Sequence, residues 1–215
     1  MHIPDGFLSP PVWGACAVLA AGSVAIAAKK SQEQFDEKTV PLTGVVCAFV
    51  FAAQMINFPV LAGTSGHLLG GVLAAVLLGP WVGSLVLSLV LIVQCFIFQD
   101  GGVTVLGANI FNMGVVGVGC GYAVFKALTS LSRSKTMFLA AVAISSWLSV
   151  VAASLACAIQ LGLSGTYPTG VTLQAMGIVH VFIGIGEAII STAVIGSVLA
   201  ARSDLVTTYE GEVLP

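Results

Sequence analysis

The chain has 215 residues, of which 58% are hydrophobic and only 7% are charged, and its mean hydropathy is +1.08. A soluble domain carries about 25% charged residues, so this chain could not cover a water-exposed surface with polar groups. The net charge of −2 is uninformative, but the positions of the charges are not. The composition predicts a polytopic membrane protein, and we expect no nucleic-acid partner.

The opening segment, MHIPDGFLSP, does not have the pattern of a secretory signal peptide. Such a peptide carries basic residues ahead of its apolar core, whereas the only charge before Val12 is that of Asp5. We therefore expect the first residues to be retained, with residues 1–11 forming a segment that precedes the first helix.

Seven apolar segments are candidates for membrane spans, each of which needs about 20 apolar residues. In chain order they are Val12–Ala28, Val40–Asn57, His67–Gly79, Trp81–Phe98, Gly107–Phe125, Met137–Leu161 and Gln174–Ala200. The uncharged stretch from His67 to Phe98 would make a helix of roughly 48 Å, which is too long for one straight span. Gly79-Pro80 supplies a break within it, so we divide the stretch into two.

The basic residues give the orientation of these spans. All seven lie in three segments: Lys29, Lys30 and Lys38; Lys126, Arg133 and Lys135; and Arg202. Basic loops are cytoplasmic by the positive-inside rule, and seven spans with the N-terminus outside place all of them on that side. The prediction is an all-α integral membrane protein forming a single transmembrane domain over residues 1–215. It ends in a short cytoplasmic tail, residues 203–215.

This topology gathers a small set of polar residues at the outer face. They are His2, Asp5, Thr64, Ser65, His67, Gln99, Asp100, Asn109, His180 and Glu187. His180 and Glu187 are seven residues apart, about two helical turns, so both can lie on one face of the last span. An ionisable group such as Glu187 inside a span has a functional or an interhelical hydrogen-bonding role by default. The alternative is a protonated Glu187 that holds helices together, paired with His180.

The first two residues form a potential metal chelator. The amine of Met1, the Met1–His2 amide nitrogen and the His2 imidazole can bind one ion through a five- and a six-membered ring, and another imidazole would complete four nitrogens. Such a set suits Ni²⁺ or Cu²⁺, and Co²⁺ less strictly. We expect Pro4 and Gly6 to turn the segment back over the protein. Three apolar neighbours would then plug it between helices: Ile3, Phe7 and Leu8.

Four motifs stand out: MHIPDGFL at the start, GTSGHLLGG around His67, QDGGVTVLGAN before the fifth span and GIGEA in the last span. With these motifs the chain resembles the substrate-binding membrane subunits of energy-coupling factor transporters for cobalt and nickel. The resemblance runs from residue 1 to 188 and implies six core helices with one extra N-terminal helix. It also implies that Met1, His2 and His67 supply the nitrogen ligands.

The resemblance is closer to the nickel-associated branch of that family. Many cobalt-associated members have Met-Glu after the opening Met-His-Ile and a Ser-His-Pro-Thr-Gly loop, whereas this chain has Pro4-Asp5 and Ser65-Gly66-His67-Leu68. Cobalt stays open. We expect no cofactor, only a bound substrate ion, Ni²⁺ or Co²⁺. Asp5, Asp100 and Asn109 should pin loops around the site, and Thr64, Ser65, His180 and Glu187 are further candidates for a supporting or gating role.

The resemblance implies that this subunit captures the ion outside a prokaryotic cell membrane. A transmembrane coupling subunit and two cytoplasmic ABC-type ATPases would drive its release inward, with a small accessory membrane subunit as an open possibility. The chain contains no G-x-x-x-x-G-K-[ST] phosphate-binding loop, so energy must come from another chain or from a gradient.

Two other classes of function are the alternatives. A stand-alone channel or secondary carrier needs several intramembrane ionisable groups along its path, and this chain has one carboxylate and one histidine at depth. An intramembrane metalloenzyme would use His67, His180 and Glu187, but the H-E-x-x-H motif is absent. We expect a transport subunit with no enzymatic activity of its own.

Overall fold

A computed structural model describes residues 1–60 and 64–209 of the chain. The helices are α1 (Pro10–Ser31), α2 (Thr39–Met55), α3 (Gly71–Leu78), α4 (Pro80–Phe98), α5 (Leu106–Thr129), α6 (Lys135–Leu163) and α7 (Thr169–Ala201). The middle of α5, Phe111–Gly117, is π-helical. Single 3₁₀ turns follow α1 and α7, at Gln32–Gln34 and Ser203–Leu205.

Each predicted apolar segment corresponds to one helix in the described part of the chain. Five of these helices are long and apolar enough to cross a membrane, namely α1, α4, α5, α6 and α7. Helix α2 is apolar but has 17 residues, and α3 has only eight, all of them buried. At 1.5 Å per residue, α3 is about 12 Å long, well short of a bilayer core.

The predicted start of the third segment was wrong. The helix does not begin at His67 but at Gly71. The fold is mostly helical, and a two-stranded antiparallel sheet precedes this helix. Its strands are β1 (Asn57–Val60) and β2 (Thr64–His67), with Asn57 opposite His67.

Gly70 explains why the helix starts late. Its φ of +74° is in the left-handed region, which an L side chain rarely adopts, and a Cβ there would lie 2.8 Å from Cγ2 of Val50. The backbone therefore leaves β2, turns at Gly70 and only then enters α3.

Close helix contacts bury α3 in the centre of the bundle. It packs against α4, α5, α6 and α7. A Cβ on Gly83 of α4 would lie 2.9 Å from the backbone of Ala75 in α3, so only glycine permits this approach.

The connections lie at two ends of the bundle. At one end, Asp5 bonds residues 103 and 104, and Thr166 donates to the carbonyl of Phe7. At the other end lie the connections that carry the basic residues, which we call the basic connections. A surface cavity there is lined by Lys126, in the last turn of α5, and by Arg133, in the connection that follows. The first nine residues, strands β1 and β2 and residues 99–105 are therefore at the end away from the basic connections.

The predicted C-terminal tail is partly packed against the bundle. Thr207 donates from both its amide and its hydroxyl to the carbonyl of Leu77, and Thr208 donates to that of Val76. Val206 is buried. Residues 210–215 of the predicted tail lie outside the described residues.

Candidate metal site

The amino terminus is buried in the bundle. Met1 and Ile3 are 0% exposed and His2 is 3% exposed. The amine of Met1 donates to the carbonyl of Ser65 and lies 3.1 Å from its hydroxyl oxygen, which also accepts the amide of His2 at 3.3 Å. Strand β2 thus holds the first residue. Thr64 begins the same strand, opposite Val60, but its side chain lies outside the described part of the structure.

The side chain of Asn109 in α5 and the main-chain amides of residues 102–104 fix the rest of the N-terminal segment. Asn109 bonds both main-chain groups of Ile3, accepting from its N–H at 2.9 Å and donating to its carbonyl at 3.2 Å. The amide of Gly102 donates to the same carbonyl. The carboxylate of Asp5 accepts from the amides of Val103 and Thr104 at 3.1 and 2.8 Å. Asp5 and Asn109 therefore fasten the N-terminal segment to residues 102–104 and to α5.

The imidazoles of His2 and His67 meet beside the amine. Their ring centroids are 4.6 Å apart and their planes cross at 84°. Nδ1 of His67 donates to the carbonyl of Leu68 at 2.7 Å, so its Nε2 carries the lone pair. Nδ1 of His2 lies 2.9 Å from Oδ1 and 3.2 Å from the carbonyl oxygen of Asp100. In the described residues, neither Nε2 atom has a hydrogen-bond partner.

Burial keeps these nitrogens unprotonated. It lowers the pKa of the Met1 amine to about 5, although Cys157 and Asp100 act in the opposite direction. Burial also lowers the pKa of His67 well below its usual value, with the nearby amine and His2 adding to the effect. For His2, burial lowers the pKa against the hydrogen bond to Asp100. The amine and both rings are therefore neutral at pH 7, each with a lone pair.

Asp100 remains ionised beside them. Burial raises the pKa of its carboxyl group, but the hydrogen bond from His2, together with the charge that this ring carries when protonated, outweighs that and lowers the pKa below the usual value. Asp100 is therefore a fixed negative charge at the edge of a set of neutral nitrogen donors.

His180 and Glu187 lie on one buried face of α7, as their spacing predicts. The pair between them, which the sequence offered as an alternative, is not among the hydrogen bonds of the described residues. Nδ1 of His180 donates to the carbonyl of Met176, one turn earlier, at 2.7 Å. Glu187 accepts from the amides of Leu69 and Gly70 at 2.8 and 2.6 Å. Glu187 thus contacts the segment after His67 and not His180.

One supporting residue escaped the sequence analysis. Gln54 of α2 is fully buried and donates from Nε2 to the carbonyl of Leu69 at 2.7 Å. The sequence signal for Gln54 was its polar side-chain amide near the end of an otherwise apolar helix.

The candidate metal donors that the structure brings together are nitrogens, not carboxylates or thiols. Within residues 1–60 and 64–209, no three side chains of His, Cys, Asp or Glu cluster as a metal site. What the structure gathers instead is a neutral amine, a main-chain amide and two imidazoles: Met1, His2 and His67. These are nitrogen donors suited to a divalent transition metal.

Comparison with known proteins gives one consistent family. The model for "cobalt uptake substrate-specific transmembrane region" matches residues 2–205. A putative fused nickel transport protein of Archaeoglobus fulgidus is 40% identical over 96% of this chain and 68% of its own length. A putative cobalt transport protein of Haloquadratum walsbyi is 33% identical over 98% of this chain and 99% of its own.

A solved structure of a metal transporter has the same fold as this chain. The crystal structure of a truncated transition metal transporter superposes with a TM-score of 0.89 at 35% identity, covering 94% of this chain and 99% of that one. The alternative of an intramembrane enzyme is thereby set aside, because the family is one of transport proteins. The chain is a multi-pass membrane transport protein, and it belongs to the CbiM family of cobalt uptake substrate-specific transmembrane regions.

Proposed function

We propose that this chain captures Ni²⁺ or Co²⁺ and delivers it for import as the substrate-binding subunit of an energy-coupling factor transporter. The observation that carries the proposal is the burial of a neutral Met1 amine beside His2 and His67. Burying a terminal amine costs free energy, and burial of this amine in its neutral form beside two imidazoles is what metal binding through the amine requires. The names of the nickel and cobalt transport relatives support the choice of ions.

The proposed ligands are four nitrogens. They are the amine of Met1, the amide and Nδ1 of His2, and Nε2 of His67. Amine and amide close a five-membered ring with the ion, and amide and Nδ1 close a six-membered one. His67 is already in the tautomer that leaves Nε2 free, because its Nδ1–H is bonded to a carbonyl, as is usual for metal-binding histidines.

His2 has to change its hydrogen bonding to bind. Its Nδ1 faces Asp100 in the structure, and a nitrogen cannot donate a hydrogen bond and bind a metal ion with the same orbital. The imidazole therefore turns from Asp100 when the ion enters, and its ring proton moves to Nε2. The amide proton of His2 is released at the same time. Asp100 then offsets part of the added positive charge.

The end of the bundle that carries the site faces outward in this proposal, and the basic connections face the cytoplasm. This orientation follows the positive-inside rule. A transmembrane coupling subunit and two ABC-type ATPases would supply the energy, since the chain has no phosphate-binding loop of its own. With a site reached from outside and seven helices, the chain would be the capture component in a cell membrane.

Calorimetry on purified protein tests the proposal, using two buried histidines as a matched pair. His67 and His180 each bond a carbonyl through Nδ1 and bury an Nε2 without a partner in the described residues. We expect His67→Ala to lose Ni²⁺ and Co²⁺ affinity by more than about 100-fold, beyond what a supporting residue costs. His180→Ala should stay within a few-fold of the wild type. Equal affinity for wild type and His67→Ala would refute the site.

A further inference from the structure

The three residues after His67 are unwound inside the bundle. Leu69 is fully buried, and Gly70 is in a left-handed conformation just before α3. Irregular backbone at membrane depth has no water to bond with, so other parts of the protein must satisfy its polar groups. Residues 68–70 connect His67 to the most buried helix of the molecule.

Two side chains from distant helices bond this segment. The carboxylate of Glu187, from α7, takes one N–H on each oxygen, from Leu69 at 2.8 Å and Gly70 at 2.6 Å. Gln54, from α2, donates to the carbonyl of Leu69 at 2.7 Å. Glu187 is only 2% exposed and Gln54 is fully buried.

The chemistry of these bonds requires a carboxylate. Two N–H groups point at one side chain, and an ionised carboxylate accepts on both oxygens and donates on neither. Glutamine has nearly the same shape but one acceptor, and its NH₂ group would face an N–H donor. The two amides also stand at the start of α3, where the helix dipole favours a negative group.

These bonds lie next to the proposed ligand. The Nδ1–H of His67 donates to the carbonyl of Leu68, the residue immediately before the two amides that Glu187 holds. The position of that carbonyl sets the direction of the imidazole and of its Nε2 lone pair. Movement of residues 68–70 would therefore displace the His67 ring, although Glu187 itself makes no hydrogen bond to the ring in the described structure.

We propose that Glu187 is a positioning residue for metal binding, which fixes residues 68–70 and through them the His67 imidazole, with Gln54 as a second hold. The inference rests on the proposed function, because it assigns Glu187 a role in the same site. It gives a buried carboxylate at the centre of the bundle a purpose beyond joining helices.

The test compares Glu187→Gln with Trp147→Phe. Trp147 of α6 donates from its indole nitrogen to the carbonyl of Val181 at 3.1 Å, so its replacement also removes a hydrogen bond to α7 but leaves residues 68–70 untouched. Each purified variant is titrated with Ni²⁺ and with Co²⁺ by calorimetry. Its Tm and the absorption spectrum of its Ni²⁺ complex are recorded.

We expect Glu187→Gln to weaken Ni²⁺ binding by about 10- to 100-fold, the usual effect of losing a residue that orients a metal ligand, and to change the Ni²⁺ spectrum. Trp147→Phe should lower Tm and leave affinity and spectrum as in the wild type. Gln54→Leu, the second variant if Glu187→Gln does not fold, should weaken binding in the same direction but by less.

Glu187→Gln binding as tightly as the wild type would overturn the inference, as would equal losses of affinity in Glu187→Gln and Trp147→Phe at matched losses of Tm. If Glu187→Gln does not fold, wild-type affinity in Gln54→Leu would overturn it. A wild-type protein that binds neither ion would instead refute the proposed function itself.

Discussion

The imidazole rings of His2 and His67 lie 4.6 Å apart and cross almost at right angles. They belong to residues far apart in the chain, one on the N-terminal segment and one at the end of β2. Both are buried and neutral at pH 7, and each holds Nδ1 against an acceptor. In the proposed site both rings already lie beside a neutral amine before any ion arrives, and only the His2 ring has to turn, away from Asp100.

Asn109 should matter for this organisation more than Asp5. Asn109→Ala removes two buried hydrogen bonds to the backbone of Ile3. The N–H of Ile3 then loses the side-chain oxygen that accepts its hydrogen bond. A buried unsatisfied group costs about 1–3 kcal/mol, so we expect a lower Tm and weaker Ni²⁺ binding, both measurable on one purified sample.

Asp5→Asn is the matched control, because its bonds to residues 103 and 104 are solvent-exposed. Asp5→Asn should lower Tm and the affinity for Ni²⁺ by less than Asn109→Ala does. A larger effect from Asp5→Asn than from Asn109→Ala would contradict the arrangement described for the N-terminal segment.

Asp100→Asn should weaken metal binding. Two effects oppose each other, since the variant loses a negative charge but also weakens the bond that His2 must give up. A hydrogen bond to a charged group is worth about 1.5–3 kcal/mol. Attraction between charges of −1 and +2 at roughly 5 Å is about 7 kcal/mol at an effective dielectric constant of 20.

The charge therefore outweighs the competing bond. Calorimetric titration with Ni²⁺ at low and at moderate ionic strength should show reduced affinity for Asp100→Asn in both. Tighter binding by the variant would mean that release of the His2 bond, and not attraction of the ion, limits affinity.

The metal-free protein should become more stable as the pH rises from 5 to 8. The Met1 amine has a pKa of about 5 when folded, against an ordinary value of 8.0, so the unfolded chain binds more protons in this range. A shift of that size corresponds to a stability change on the order of 4 kcal/mol. The pKa values of His2 and His67 are also lowered and act with the same sign.

Tm values of detergent-solubilised protein at pH 5, 6.5 and 8 test this dependence. Asp5 and Asp100 stay ionised throughout this pH range because their pKa values are lowered. The stability that these carboxylates add is lost only below about pH 4, so they do not contribute to the expected change. Acetylation of the amine should flatten the curve. A Tm that is constant or rises on acidification would contradict burial of a neutral amine.

The apolar runs predict all seven helices because helices in lipid need length and low polarity, and both are visible in the sequence. The same reasoning fails for residues 67–70. Hydropathy cannot separate a buried helix from a buried extended segment. The conformation of Gly70 depends on Val50 and Glu187, which come from other helices.

The candidate site could be predicted from the sequence where its chemistry is local. Met1 and His2 are adjacent, and the motif around His67 identifies the second ring. The bond between His2 and Asp100 and the contact of Glu187 with Leu69 join positions 98 and 118 residues apart. Such contacts are set by how the helices pack, which no spacing within one segment encodes.

The most direct test of the account is Ni²⁺ binding by calorimetry to two purified proteins, one with the native Met1 and one with a glycine inserted ahead of it. The insertion keeps every side chain but moves the free amine out of the chelate ring. We predict that the native protein binds one ion and that the extended protein loses more than about 100-fold in affinity, beyond the loss of a supporting residue. Equal binding by the two proteins would contradict the account, because the amine of Met1 could not then be a ligand.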